Sequence, residues 1–278
     1  MNASRFAAAL AIFVASISPG DAADKLGPVS IAWEKDMLSI KADGLPGEKI
    51  DIWYIEACCR PGGQERDWHE TTIPHKTEKV SASEDGRQIV LKTAVEGGAE
   101  MIHTITAGEG EVSFDVVVTH KGDRPLDFQW FQPCMRVGEF TGLGQEEYWK
   151  RCFLFAEDRG FVSLGDLPRE EEARYKGGQV YLPKGRVAED MNPRPLSKIR
   201  PANGLIGAVS ADDAWLVAMA WDHTHELFQG VIKCIHNDPY VGGLKPGETK
   251  KLRGKVYLSK RDPEALLKQY HRDFPDAE

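Results

Sequence analysis

Four short stretches of this sequence hold residue types able to move protons or grip a small polar molecule. In Cys234-Ile235-His236-Asn237-Asp238-Pro239-Tyr240, a histidine and an aspartate stand two apart at a predicted strand end. A carboxylate beside an imidazole raises its basicity, so His236 and Asp238 form a candidate general acid–base pair. An Asx-type turn is the plain structural alternative for Asp238. In Phe128-Gln129-Trp130-Phe131-Gln132-Pro133-Cys134-Met135-Arg136, Trp130 and Gln132 share one face of a strand and Arg136 follows just past Pro133. Indole, amide and guanidinium together suit a sugar, whose ring stacks on the aromatic while its hydroxyls take planar hydrogen bonds. A core aromatic strand with a structural arginine is the alternative. Trp221 and Gln229 flank Asp222-His223-Thr224-His225-Glu226, which reads as a hairpin turn, and with Tyr240 they could extend such a surface. His223 and His225 could bind a metal with Asp222 or Glu226, but turn histidines are more often solvated, and no metal set is assigned. Lone His103, in a predicted strand, is a third candidate catalytic group.

The elements that must position these residues are almost all strands. From Val29 onward, short runs alternate at period two between Gly, Pro and Asp punctuation. They cover Val29–Trp33, Met37–Ala42, Lys49–Ala57, Gln88–Val95, Met101–Thr106, Glu111–His120 and Leu126–Gln132. A charged, proline-broken middle from about Gly142 to Pro201 carries short strands at Cys152–Phe155, Phe161–Ser163 and Gln179–Leu182 on long loops. Such loops are functional or cover an edge; Glu146, Glu147, Tyr148, Trp149 and Arg151 are placed to close over a cleft. Strands resume at Gly204–Ser210, Trp215–Trp221, Glu226–His236 and Thr249–Ser259. Asp262 as N-cap, Pro263 at the first helical position and a stripe of Leu266, Leu267, Tyr270 and Phe274 predict one helix over about 263–273. The pattern predicts an all-β fold, a large antiparallel β-sandwich with long loops and a C-terminal helix, as one domain over residues 23–278.

Residues 1–22 read as a secretory signal peptide: Arg5, an apolar run from Phe6 to Ile17, Pro19-Gly20, then Ala22. The run is too short to span a bilayer, and no later one is longer, so the mature chain is expected to be secreted or periplasmic, without a membrane span. The net charge of −8 argues against nucleic acid as a partner. Five cysteines, with Cys58 and Cys59 adjacent and no Cys-x-x-Cys, read as small buried residues rather than a disulfide frame or a zinc site. No P-loop, dinucleotide fingerprint, His-Glu-x-x-His or Gly-x-Ser-x-Gly is present, and the sequence leaves the cofactor open.

Two phrases carry a family resemblance. Val-Val-Val-Thr-His-Lys-Gly-Asp-Arg-Pro-Leu at 116–126 and Leu-Lys-Pro-Gly-Glu-Thr-Lys-Lys-Leu-Arg-Gly-Lys-Val-Tyr-Leu at 244–258 resemble the strand–turn–strand phrases of galactose-mutarotase-like super-sandwiches. The closing Asp-Pro-Glu-Ala-Leu-Leu-Lys-Gln-Tyr is similar to the ends of secreted bacterial proteins of this kind. The resemblance implies the super-sandwich fold of mutarotases, many polysaccharide lyases and parts of glycoside hydrolases. Their catalytic His and Glu have no matching positions here, so no residue role is carried over. The expected ligand is a carbohydrate or other small polar molecule. The expected activity is lyase, hydrolase or epimerase chemistry by acid–base catalysis; the rival is a non-catalytic binding module.

Overall fold

The computed structural model describes residues 25–62 and 66–277; the expected signal peptide lies outside the described residues. Strands β1 (Ser30–Glu34), β2 (Met37–Lys41) and β3 (Lys49–Cys59) open the chain, with a hairpin turn at Lys35 and Asp36, both at positive φ. The short helix α1 (Trp68–Thr71) leads to β4 (Thr72–Ile73), β5 (His75–Ala82), β6 (Gln88–Val95), β7 (Ala99–Ala107) and β8 (Glu111–His120). Then come β9 (Trp130–Arg136), α2 (Gly138–Thr141), β10 (Cys152–Ala156), β11 (Gly160–Ser163), α3 (Glu171–Lys176) and β12 (Gln179–Tyr181). The chain closes with β13 (Pro201–Val209), β14 (Trp215–Trp221), β15 (Thr224–Gln229), β16 (Cys234–Pro239), β17 (Thr249–Lys260) and α4 (Pro263–Asp273).

These strands make two antiparallel sheets. The first is ordered β1-β2-β3-β9-β16-β15-β12, with β4 also on β3; the second is β11-β10-β13-β14-β17-β8-β7-β6-β5. Between them lies the main core: Ile52, Tyr54, Phe131, Met135 and Ile235 from the first sheet meet Phe114, Val116, Met219, Trp221 and Val256 from the second. The outer face of the second sheet is closed by α4, whose Leu266, Tyr270 and Phe274 pack on Phe153, Leu216, Ala218 and Tyr257. The helix starts as its cap residues dictate, the Asp262 side chain accepting from the Ala265 N–H. The two phrases behind the family resemblance are neighbours in space, since β8 pairs with β17 from Thr119↔Thr249 to Glu111↔Tyr257.

Several expectations need correction. The predicted strand Leu126–Gln132 is shifted: only Leu126 forms a bridge, with Leu244, and the ladder starts at Trp130 and runs through Pro133 to Arg136. Proline is tolerated there because the register with β3 breaks between Trp53↔Cys134 and Ala57↔Gln132, so no regular ladder partner faces its missing N–H. The predicted strand Glu226–His236 is two strands, β15 and β16, folded back on each other around Gly230–Lys233. The segment around Asp222-His223 is not a hairpin but the crossing from β14 in the second sheet to β15 in the first. The edge strand β5 was not foreseen, because His-Lys-Thr-Glu-Lys-Val-Ser-Ala lacks the apolar face that marks a half-buried strand.

Candidate functional site

The outer face of the first sheet carries the chemistry. Alternation along β9 sends Phe131 and Met135 into the core and Trp130, Gln132, Cys134 and Arg136 to the opposite face. On β16, Ile235 joins the core while Cys234, His236 and Asp238 share the outer face. Across the next ladder, Glu226 is paired with Asp238 and Phe228 with His236. Glu56 comes from the irregular stretch of β3 opposite Pro133. The face is roofed by the loop after β12, where Met191 packs with Val180, Leu182 and Phe228. A pocket of about 80 Å³ remains, lined by Glu56, Trp68, Gln132, Asn192, Arg194, Cys234 and His236 among others.

His236 is the centre of this pocket's polar contacts. Its Nδ1 lies 3.5 Å from Asp238 Oδ1 and its Nε2 3.8 Å from Glu56 Oε2. The same Nε2 is 3.4 Å from Cys234 Sγ. Gln132 Nε2 donates to Asp238 Oδ2 at 3.1 Å, which leaves Asp238 Oδ1 without a hydrogen bond. Glu226 Oε2 accepts from the Asn192 N–H at 2.9 Å and stands 3.5 Å from His225 Nδ1, while its Oε1 is unpartnered. His225 itself is stacked between Trp130, centroids 5.2 Å apart, and Tyr240, 5.8 Å apart, and the Arg186 guanidinium covers the far face of Tyr240 at 3.9 Å.

Buried ionisable groups this close shift one another. Burial raises the Asp238 carboxyl to about 7, against the opposing pull of His236. Burial alone would lower the His236 imidazole, but Cys234 and Asp238 together hold it well above its ordinary value. A hydrogen bond from Cys134 holds the Cys234 thiol well below its usual range, against the opposing effect of burial. Thiol, imidazole and carboxyl therefore form a chain Cys234–His236–Asp238 along one strand face, able to relocate a proton within itself.

The sequence-derived candidates fall into three groups. His236, Asp238, Gln132 and Trp130 come together on this face. Tyr240 flanks it through His225, and Arg136 lies further along β9, half-buried, donating to the Ile232 carbonyl and resting over Trp53. The others are elsewhere. His103 is in the core on β7, and Trp221 packs there on Phe114 and Phe131. Gln229 is buried and donates to the Tyr148 hydroxyl and the Gly230 carbonyl, bracing the β15–β16 turn. Tyr148, expected to close over a cleft, is the buried anchor of that turn, its hydroxyl donating to the Gly230 carbonyl at 2.6 Å. His223 is exposed and His225 buried between rings, so the two do not come together as a ligand pair. Glu56, Trp68, Cys134, Asn192, Arg194, Glu226 and Cys234 were missed as site residues. Period-two polar residues inside buried strands, as in Cys234-x-His236-x-Asp238, were the signal that could have found the cysteine.

Larger grooves lie apart from this chemistry. One of about 520 Å³ is lined by Lys25, Arg87, Glu109, Trp215 and Lys260, and its charged side chains are exposed or half-exposed.

No family model and no curated protein matches the sequence. Among solved structures, the chain is similar to a galactose mutarotase related enzyme from Lactobacillus acidophilus, at 9% identity and a TM-score of 0.44, over 83% of this chain and 97% of that one. It is also similar to a galactose mutarotase-like protein from Lactobacillus casei, at 11% identity and a TM-score of 0.42, over 83% and 99%. Superposition at this level assigns neither an activity nor a residue role.

Proposed function

We propose that this protein is an exported enzyme that moves protons on a carbohydrate or similarly polyhydroxylated small ligand, with His236 and Glu56 as its acid–base groups and Asp238 behind His236 orienting and tuning it. The observation that carries this reading is His236 held between two carboxyl groups, at 3.5 and 3.8 Å, on the wall of a pocket that Glu56 also lines. A buried polar atom without a partner is destabilising by about 1–3 kcal/mol; here Glu226 Oε1 has no hydrogen bond, and Asp238 Oδ1 and His236 Nδ1 meet only each other, at 3.5 Å. Such clustering of loosely paired ionisable groups beside a pocket supports a reactive role for them.

Gln132, Asn192 and Arg194 supply planar donors and acceptors for hydroxyls or a carboxylate, and half-buried Trp68 offers a ring face. The pocket's 80 Å³ admits the reacting edge of a ring rather than a whole sugar. An acid and a base converging on one such edge fit proton transfer at a hydroxyl or an acidic carbon, the step shared by epimerases and lyases.

The test is calorimetric or NMR titration of the purified protein with neutral sugars and uronate-containing oligosaccharides, followed by turnover assays on whatever binds. Asp238→Asn, close in shape, should retain binding and lower turnover by about 10²–10⁴-fold. Failure to bind any member of the panel ends the carbohydrate reading, and undiminished turnover in the variant ends the acid–base one. Export is checked on the same preparation: recovery outside the cytoplasm with Met1 intact contradicts signal cleavage.

A further inference from the structure

We infer that Cys134, Cys234 and His236 form a binding site for a thiophilic divalent cation of the zinc class, open toward the pocket. The three potential donor atoms lie within 4.8 Å of one another and all three residues are buried. The Cys234 Sγ to His236 Nε2 separation of 3.4 Å is close to the edge of about 3.6 Å that follows from tetrahedral angles with Zn–S and Zn–N bonds of about 2.3 and 2.0–2.1 Å. Two sulfurs and an imidazole favour zinc or other soft ions over magnesium or calcium, which demand oxygen ligands.

The scaffold supports the same conclusion. Cys134 stands on β9 and the other two on β16, adjacent strands inside a packed sheet, which position side chains more tightly than loops do. A histidine that binds metal through Nε2 hands its Nδ1 proton to a carboxylate or carbonyl. Here Asp238 Oδ1 stands 3.5 Å from that nitrogen, and neither atom has a hydrogen bond elsewhere. The pocket side of the triad offers a further position, near which Glu56 Oε2 lies 3.8 Å from His236 Nε2, the arrangement of a site that keeps a position for water or substrate.

The competing fate of two neighbouring thiols is a disulfide, and strand register opposes it. Cys234 is paired with Arg136 and Ile235 with Met135, so continuing the ladder sets His236, not Cys234, opposite Cys134. Diagonal neighbours on an antiparallel pair stand about 7–8 Å apart, beyond the usual Cα separation of about 4.4–6.8 Å for a disulfide. The inference goes beyond the acid–base reading and does not depend on it: without a cation His236 is free to move protons, and with one on Nε2 that task falls to Glu56, 3.8 Å away.

The experiment uses the full exported chain, stripped of metal and reduced under inert gas, and titrated with cobalt(II) and then zinc(II). One equivalent of cobalt per chain should bind with thiolate-to-cobalt charge-transfer bands and intense four-coordinate visible bands, both abolished by stoichiometric zinc. Cys134→Ser and Cys234→Ser should each abolish stoichiometric binding, and Asp238→Asn should weaken it by about 10–100-fold. Circular dichroism verifies folding of each variant. If a serine variant does not fold, alkylation of the wild type decides: zinc should slow labelling of Cys134 and Cys234 but not of Cys152. Weak six-coordinate spectra, binding indifferent to both serine variants, unprotected thiols, or a Cys134–Cys234 disulfide in protein purified without reductant would each overturn the site. Sugar binding and turnover are measured on both the stripped and the zinc-loaded protein, so failure of the metal site and failure of the carbohydrate reading are read separately.

Discussion

Two buried histidines in this protein, one in the core and one on the outer face of the first sheet, show what separates a structural polar group from a reactive one. His103 is fully buried between the sheets, with Nδ1 2.9 Å from the Tyr54 hydroxyl and Nε2 3.0 Å from Thr93 Oγ1. Thr93 Oγ1 continues the chain to Thr77 Oγ1 at 2.9 Å. Every partner is a neutral hydroxyl, so burial acts unopposed and drives the His103 imidazole down to about 3, keeping it uncharged. His236 is as deeply buried, yet its near neighbours are a thiol and two carboxyl groups, and its Nδ1 has no hydrogen bond. Burial is common to both; satisfaction by neutral partners is not. A satisfied neutral network fixes one core arrangement, while ionisable groups left partly unpaired store proton-transfer capacity at a destabilising cost.

The sharpest break of this comparison is the same substitution at both positions. His236→Gln should reduce turnover by about 10²–10⁴-fold, a loss of activity far beyond any loss of folded protein. His103→Gln should leave turnover per folded molecule intact but cost about 1–3 kcal/mol for each hydroxyl it leaves unpaired. Equal melting-temperature losses from the two variants would dissolve the distinction.

Next in size is a pH effect carried by His103. Its folded value is depressed to about 3, whereas an unfolded histidine titrates near 6.5, so between these limits the unfolded chain binds the extra proton. The stabilisation is fully present above about pH 6.5 and is lost as pH falls, by about 1.4 kcal/mol for each pH unit. Denaturant melts from pH 7 to 4 should show this slope in the wild type and lose much of it in His103→Gln. A slope unchanged by the substitution would assign acid sensitivity to other groups.

The smallest expected effect is at Arg136. Among the described residues it donates to the Ile232 carbonyl and rests over the face of Trp53, and the side chain is half-buried. Arg136→Lys should change stability by no more than about 1 kcal/mol, as for exposed charged contacts, and leave ligand affinity unaltered. Loss of affinity without loss of stability would extend the site along β9 to this residue.

Much of the scaffold was legible beforehand because it depends on local chemistry. Period-two alternation marked β6, β7, β8 and β17, and the Asp262–Pro263 cap marked α4, since each signal lies within a few residues of its effect. The strand errors arose where long-range pairing decides: Pro133 stays in a strand only because β3 bulges opposite it, and Glu226–His236 reverses at Gly230.

The site divides in the same way. The sequence by itself determined that His236 and Asp238 stand two apart at a strand end, that Trp130 and Gln132 share a strand face, and that the fold is an antiparallel sandwich; each follows from local pattern and turn chemistry. Only tertiary structure decided that these two faces are one, because β9 and β16 lie 98 residues apart at Arg136 and Cys234 and meet through a ladder. It also decided that His103 belongs to the core, that Glu56 and Asn192 belong to the pocket, and that Cys134 stands beside Cys234 and His236. Alternation specifies which residues share a side of a strand, but which strands become neighbours, and which side is buried, is fixed by the packing of the whole sandwich.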